Sequence, residues 1–326
     1  MGAMFSADEI IEIAGGRLAA GLVPDCVAGI ATDTRTAVDD CWFVALRGSR
    51  FDGHDFLGDA FSGGAVGCIV EERQSYPIAS TSYPLIAVSD TMKALAELGR
   101  IWKERSDLVV IAIAGESADS STLVSRLAYR LFASHGPALL VEVHHQGVRG
   151  CFGQLFDTGP ETRYVILNLV VSSLEQVELL GRGFAPDVLV FVGKPFDYLR
   201  ITATEAEIRE ATMTLLSAVQ AGGGEIYWAW QTGLVSSFGP QSRGLSIYSV
   251  PAGEDIETVD ADKEDVEDFS VPSSSYPEFD CRVVTEPVPI GQERKHRELW
   301  CVRSLCRQFG IPDGGLEELL DDPLFV

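Results

Sequence analysis

The sequence predicts an α/β fold in two parts: a small α/β domain over residues 5–86, then a larger domain over residues 87–326 built on a mostly parallel sheet. Three observations predict it. At 326 residues, the chain is long enough for about two domains, each with its own core. Up to residue 86 it holds short apolar runs broken by Gly, Asp and Arg clusters, which suits a small α/β unit. Beyond that point, continuous β-branched runs alternate with helical stretches, the pattern of strands covered on both faces by helices.

Each element follows from a local signal. Phe5 to Ile13 reads as a short helix with Ser6 as N-cap and Glu9 three residues on, a capping box, and Gly15-Gly16 stops it. Val27–Ile30, Trp42–Leu46 and Gly67–Val70 are short apolar strands. From Ser89 to Glu104, the residues Met92, Leu95, Leu98, Ile101 and Trp102 recur at helical spacing. Leu108–Ala114 is a continuous strand, followed by a loop and a helix over Leu123–Phe132. Strands at Ala138–Val143, Tyr164–Val171 and Val188–Val192 alternate with helices at Leu174–Gly181 and Glu205–Val219, and Gly224–Trp230 is one more strand. Residues 250–280, acidic and then Ser/Pro-rich, read as an insertion. A last helix, Gln292–Phe309, ends at Gly310 with Pro312 beyond it.

Composition excludes several classes of function. A net charge of -23 argues against nucleic acid as a partner, because phosphates require a basic stripe. Nine carboxylates and one lysine between Glu254 and Asp268 read as a solvated loop. Seven cysteines without a CxxC give neither a zinc knuckle nor a redox motif, so reduced structural thiols are expected. No apolar run is long enough to span a membrane, and Met1-Gly2-Ala3-Met4 lacks the basic flank and apolar run of a signal peptide; a cytoplasmic protein is expected, with no membrane insertion. His144-His145 are expected in a strand, on opposite faces, and therefore not on one ion; no metal site is expected. Same-face Trp228 and Trp230 read as core or interface, and no Gly-x-Ser-x-Gly elbow occurs.

The most specific text lies in the first domain. Gly29-Ile30-Ala31-Thr32-Asp33-Thr34-Arg35 is followed by Cys41-Trp42-Phe43-Val44-Ala45-Leu46-Arg47-Gly48, then by Arg50-Phe51-Asp52-Gly53-His54-Asp55-Phe56, and later by Ala60 and Gly63-Gly64-Ala65. In order and spacing this resembles the N-terminal domain of Mur ligases, most closely the D-alanyl-D-alanine-adding (MurF-type) members. The resemblance implies that this domain holds the uridine-diphosphate end of a UDP-MurNAc-peptide. The carry-over falls on Thr32, Asp33, Thr34 and Arg35 and on Arg47, Gly48, Phe51, Asp52, Gly53, His54 and Asp55. Small hydroxyls and backbone amides suit a uracil edge, and a fixed arginine suits phosphate oxygens. A bland reading stands beside it: Asp33–Arg35 braces a turn, Asp52-Gly53 makes one, and His54 is a structural hydrogen-bonding residue.

The resemblance extends more weakly through the second domain, which it makes P-loop-like, to about residue 320; the family's third domain has no counterpart after Val326. Mur ligases carry Gly-x-x-Gly-Lys-Thr after the first strand of that domain. Here the text is Gly115-Glu116-Ser117-Ala118-Asp119-Ser120-Ser121-Thr122. Ser120 keeps a hydroxyl for a metal ion, but the second glycine is Ala118 and the phosphate-reaching lysine is Asp119, so two carboxylates, Glu116 and Asp119, face where a polyphosphate belongs. The family's magnesium carboxylate falls on Asn168, its metal-binding histidine on Phe196, and its carbamylated lysine on Thr212. Its His-Asn-x-x-Asn stretch falls on Glu293-Arg294-Lys295-His296-Arg297.

The family's ATP and Mg²⁺ are thus expected not to bind, and no catalytic residue is assigned. The expected function is a catalytically inactive homologue linked to peptidoglycan precursor metabolism. It would bind a UDP-MurNAc-peptide-like ligand or cell-wall synthesis proteins as a regulator or scaffold. The alternatives are an ATP-dependent ligase with altered nucleotide binding and a structural interaction protein that reuses the fold.

Overall fold

The computed structural model describes residues 2–35, 38–48, 51–72, 76, 83–221, 224–231, 245–250, 281–285, 293–314 and 316. The acidic run Glu254–Asp268 lies outside the described residues, as do the side chains of Trp228 and Trp230. The chain forms two compact units. One comprises residues 1–107 with 145–162 and 182–184; the other comprises residues 108–144, 163–181 and 185–326.

The first unit begins with a two-residue strand, β1 (Phe5–Ser6), and helix α1 (Ala7–Ala14). The capping box forms as its residues predict: Glu9 N donates to Ser6 Oγ at 3.3 Å and Ser6 N donates to Glu9 Oε2 at 2.8 Å. Gly15 then takes the left-handed conformation (φ 60) that ends the helix. There follow β2 (Arg17–Ala20), β3 (Val27–Ala31), β4 (Cys41–Val44), α2 (Leu57–Ser62), β5 (Gly67–Glu71), β6 (Leu85–Val88) and α3 (Thr91–Arg105).

The sheet runs β1-β3-β4-β5-β6-β2, with β3 to β6 mutually parallel and the edge strands β1 and β2 antiparallel to their neighbours. Phe43, Leu57, Cys68, Val70 and Leu85 form the core of this sheet with its α2 cover. Trp42 is fully buried, and its indole N–H donates to Phe5 O at 3.1 Å, which ties β4 to the chain entry.

The second unit runs β7 (Val109–Gly115), α4 (Ala118–Ala133), β8 (Ala138–Glu142), α5 (Val143–Phe156), β9 (Tyr164–Asn168), α6 (Leu174–Phe184), β10 (Val188–Val192), α7 (Glu205–Ala221), β11 (Glu225–Gln231), β12 (Leu245–Val250), β13 (Cys281–Thr285) and α8 (Glu293–Phe309), with parts of α5 and α6 grouped with the first unit. Its sheet order is β13-β12-β11-β10-β7-β9-β8, and every pairing among the described strands is parallel. The apolar faces of α4 and α8 cover one side, with Phe132 edge-on to Tyr164 and Phe309 at 4.9 and 5.2 Å. A small α/β domain followed by a larger one on a parallel sheet is the predicted fold class; the mixed character of the first sheet comes from its antiparallel edge strands.

Three local expectations change. The helix after β7 begins at Ala118 rather than Leu123, because Ser117 caps it. The strand read as Ala138–Val143 ends at Glu142 and the chain turns directly into α5, so His144 and His145 lie in a helical turn, not a strand. The elements β2, β6, α2, α5, β12 and β13 have no counterpart among the predicted elements, and β1 takes the first two residues of the predicted first helix.

The six described cysteines, Cys26, Cys41, Cys68, Cys151, Cys301 and Cys306, are free. Burial pushes the Cys68 and Cys301 thiols well up and Cys151 up to about 12, which keeps them from acting as thiolates at neutral pH. Among the described residues, no helix is long and apolar enough to cross a membrane.

Candidate functional site

In the first unit, the predicted binding residues follow the carboxyl ends of adjacent parallel strands: Thr32–Arg35 after β3 and Arg47–Asp55 after β4, with Glu71 ending β5. That end of a parallel sheet is where its loops leave room for a ligand.

Asp33 accepts from Arg35 three times, from N at 3.0 Å, from Nε at 3.0 Å and from Nη2 at 2.6 Å, and Arg149 Nη2 approaches at 3.5 Å. The Arg35 hydrogen bonds hold the Asp33 carboxyl down at about 2, against the opposing effect of burial. The Arg35 side chain is 81% exposed, so its guanidinium is pre-oriented yet open to solvent. Thr32 and Thr34 beside it are half-buried.

The β4 loop is built on a second charged network. Arg47 Nη2 donates to Glu71 Oε2 at 2.6 Å and its Nε lies 3.8 Å from Asp52 Oδ2. Gly48 N donates to Phe51 O at 2.9 Å, and the Phe51 ring is exposed. Asp52 accepts from His54 N at 3.0 Å and pairs with His54 Nδ1 at 2.6 Å, while Glu71 N donates to His54 Nε2 at 2.9 Å. An Nε2 that accepts assigns the ring proton to Nδ1, so His54 donates to Asp52 and ties its loop to the end of β5 from a fully buried position. Gly53 is required by contact: a Cβ there would lie 2.6 Å from Leu46 N and 2.7 Å from Leu46 O. Asp55 is exposed on the short 3-10 turn that follows. Glu71 had no signal in the sequence; only strand pairing brings it to Arg47 and His54.

In the second unit, the loop Gly115–Ser121 is closed by its own residues. Ser117 caps α4, accepting from Ser120 N at 3.2 Å and donating from its Oγ to Ser120 Oγ at 3.1 Å. Ser120 and Ser121 are buried, Ala118 is half-buried and Asp119 is exposed. The Glu116 carboxylate accepts two hydrogen bonds from Arg297 of α8, from Nη2 at 2.8 Å and from Nη1 at 3.2 Å. It lies over Gly193 (φ 76), where a Cβ would come within 2.3 Å of Glu116 Oε2. The Arg297 side chain is only 12% exposed. The other side chains of the predicted 293–297 stretch lie outside the described residues.

Asn168 is fully buried and engaged at both ends: Ser121 Oγ donates to its Oδ1 at 2.7 Å and its Nδ2 donates to Thr122 Oγ1 at 3.0 Å. Phe196, also buried, has left-handed backbone (φ 60) and donates its N–H to Gly115 O at 2.9 Å. Thr212, buried in α7, donates to its own helix at Ile208 O, 2.8 Å away. The fold thus joins Asn168 and Phe196 to the loop and turns Thr212 to its helix backbone. Arg297 is the residue whose role the sequence did not reveal, because its partner is 181 positions away.

No family model matches the chain. It is 25% identical over 222 residues to the UDP-N-acetylmuramoyl-tripeptide–D-alanyl-D-alanine ligase of Bacillus subtilis, a match covering 67% of this chain and 47% of that enzyme. The Escherichia coli enzyme of the same name is 31% identical over 140 residues, 43% of this chain and 29% of the enzyme. The Haemophilus influenzae one is 37% identical over 95 residues, 29% and 20% respectively. The chain thus spans less than half the length of these relatives in each match. Among solved structures, MurF from Acinetobacter baumannii superposes with a TM-score of 0.68 at 18% identity, covering 98% of this chain and 68% of that one. MurF ligase from Thermotoga maritima in complex with ADP gives a TM-score of 0.59 at 18% identity, covering 87% and 64%. The chain belongs to the Mur-ligase superfamily and is homologous to its D-alanyl-D-alanine-adding members.

Proposed function

We propose that this chain is a non-catalytic Mur-ligase homologue that reads a UDP-MurNAc-peptide-like ligand through its first unit and serves peptidoglycan precursor metabolism as a regulator or scaffold. The observation that carries the reading is the Glu116–Arg297 pair. A P-loop binds polyphosphate because its backbone amides, a lysine and the helix terminus all face an anion. Here a carboxylate of the chain itself takes up a half-buried guanidinium at that loop, Ser117 occupies the capping amide of α4, and the lysine position holds Asp119. The residues do not fit a magnesium-bound triphosphate. A hard divalent cation prefers carboxylate and water oxygens, whereas Asn168 is neutral and committed to Ser121 and Thr122. No phosphoryl step is assigned to the loop.

The first unit supports the ligand half of the reading. Arg35 and Phe51 are exposed at the carboxyl ends of parallel strands, a cation and a ring on loops braced by Asp33, Asp52 and His54. The test is phosphate release with Mg·ATP, UDP-MurNAc-tripeptide and D-alanyl-D-alanine together. We expect no release above the enzyme-free rate, while a D-alanyl-D-alanine-adding ligase assayed in parallel turns over. Release that requires both co-substrates would overturn the proposal.

A further inference from the structure

β8 ends at Glu142 and α5 opens at Val143, so Glu142, His144 and His145 fall within one short stretch of continuous chain. One carboxylate oxygen and one nitrogen from each imidazole lie within 4.8 Å of one another. Both histidines are exposed and Glu142 is half-buried. In extended backbone, adjacent histidines point to opposite faces. In a helical turn they diverge by only about 100°, and that change of backbone lets both reach the same carboxylate. Glu142 is held from two sides. Its backbone is in register opposite Asn168 in the β8–β9 ladder, and Arg126 of α4 donates from Nε to its Oε1 at 3.1 Å.

We infer that Glu142, His144 and His145 form a binding site for a borderline-soft divalent metal ion of the Zn²⁺ class, with water completing the coordination. Two imidazoles and a carboxylate suit Zn²⁺ and its neighbours rather than Mg²⁺ or Ca²⁺, which take oxygen donors. Zn–N and Zn–O bonds of about 2.0–2.2 Å place tetrahedral donors about 3.4 Å apart. The donors must therefore close by up to about 1.4 Å to ligate, a movement open to exposed imidazoles. Arg126 engages Oε1 of a group with two acceptor oxygens, so it orients the carboxylate as an outer partner. The net charge of -23 further favours cation capture. The site uses none of the residues assigned to nucleotide or UDP-sugar recognition, so its test is independent of the proposed function.

The experiment is titration of the untagged, chelator-treated chain with Co²⁺ and then Zn²⁺. One equivalent of Co²⁺ should give a visible d–d absorption that one equivalent of Zn²⁺ abolishes. His144→Ala and His145→Ala should each weaken Zn²⁺ binding at least about tenfold, since even outer-shell changes cost 10–100-fold. Glu142→Gln should weaken it too, and Arg126→Met should retain it. The imidazole Cε1–H resonances of His144 and His145 should shift at one equivalent of Zn²⁺, a readout that needs no variant. Absence of stoichiometric uptake, a cobalt–thiolate charge-transfer band, or uptake unchanged in the His144→Ala/His145→Ala double variant would overturn the inference.

Discussion

Glu116 and Arg297 show how one residue pair can change the character of a loop. Leaving either charge alone at a site where Arg297 is 12% and Glu116 31% exposed is costly, though partial exposure of the carboxylate moderates it. Arg297→Met should destabilise the chain by about 1–3 kcal/mol in urea denaturation. The Arg297→Met/Glu116→Gln double variant should recover part of that; purely additive losses would mean the pair does not couple. His54 is a second such residue. His54→Leu removes the imidazole that pairs with Asp52 and accepts from the Glu71 N–H, so a loss of about 1–3 kcal/mol is expected, and a silent substitution would remove His54 as the brace of the β4 loop. The Asp33–Arg35 pair makes a pH prediction. Its folded carboxyl is depressed to about 2 from the usual 3.8. The stability it contributes is therefore fully present above the unfolded value and is lost as pH falls through about 2. A carboxyl-carbon NMR titration should find that midpoint; one near the ordinary value would show that Arg35 is not held.

At the scale of elements, α4 owes its start to Ser117. Ser117→Ala should cost about 1 kcal/mol in thermal or urea unfolding by exposing the Ser120 amide, and an unchanged midpoint would mean the cap is replaced by water without loss. The same element shows what the sequence could and could not reveal. α1 was readable to within two residues because its capping box and its stop glycine are local signals, although Phe5 and Ser6 belong to β1. Val188–Val192 was readable because a doubly buried strand is a continuous β-branched run. The start of α4 was not, because Ala118-Asp119-Ser120-Ser121 lacks apolar periodicity and the cap carried the information. The strand β2, Arg17-Leu18-Ala19-Ala20, has no alternation, and only pairing with β6 makes it a strand. The turn from β8 into α5 defeated a period-two reading of Ala138–Val143, and with it the placement of His144 and His145. The pairings of Glu71 with His54 and of Arg297 with Glu116 were invisible for the same reason: nothing in a local window records them.

Across the whole molecule, two α/β units share the fold of about two thirds of the MurF chains they match, but the two sets of loops differ in kind. Those of the first unit are braced from beneath and leave a guanidinium and a phenyl ring exposed. The loop of the second unit is satisfied internally by Ser117, Asn168, Phe196 and Arg297. This asymmetry is the basis for separating precursor binding from ATP use. Calorimetric titration of the chain with UDP-MurNAc-tripeptide and, separately, with Mg·ATP tests that separation most directly. Saturable heat is expected with the UDP-sugar peptide and none with Mg·ATP. Saturable Mg·ATP binding at micromolar concentration, or no binding of the UDP-sugar peptide, would contradict it.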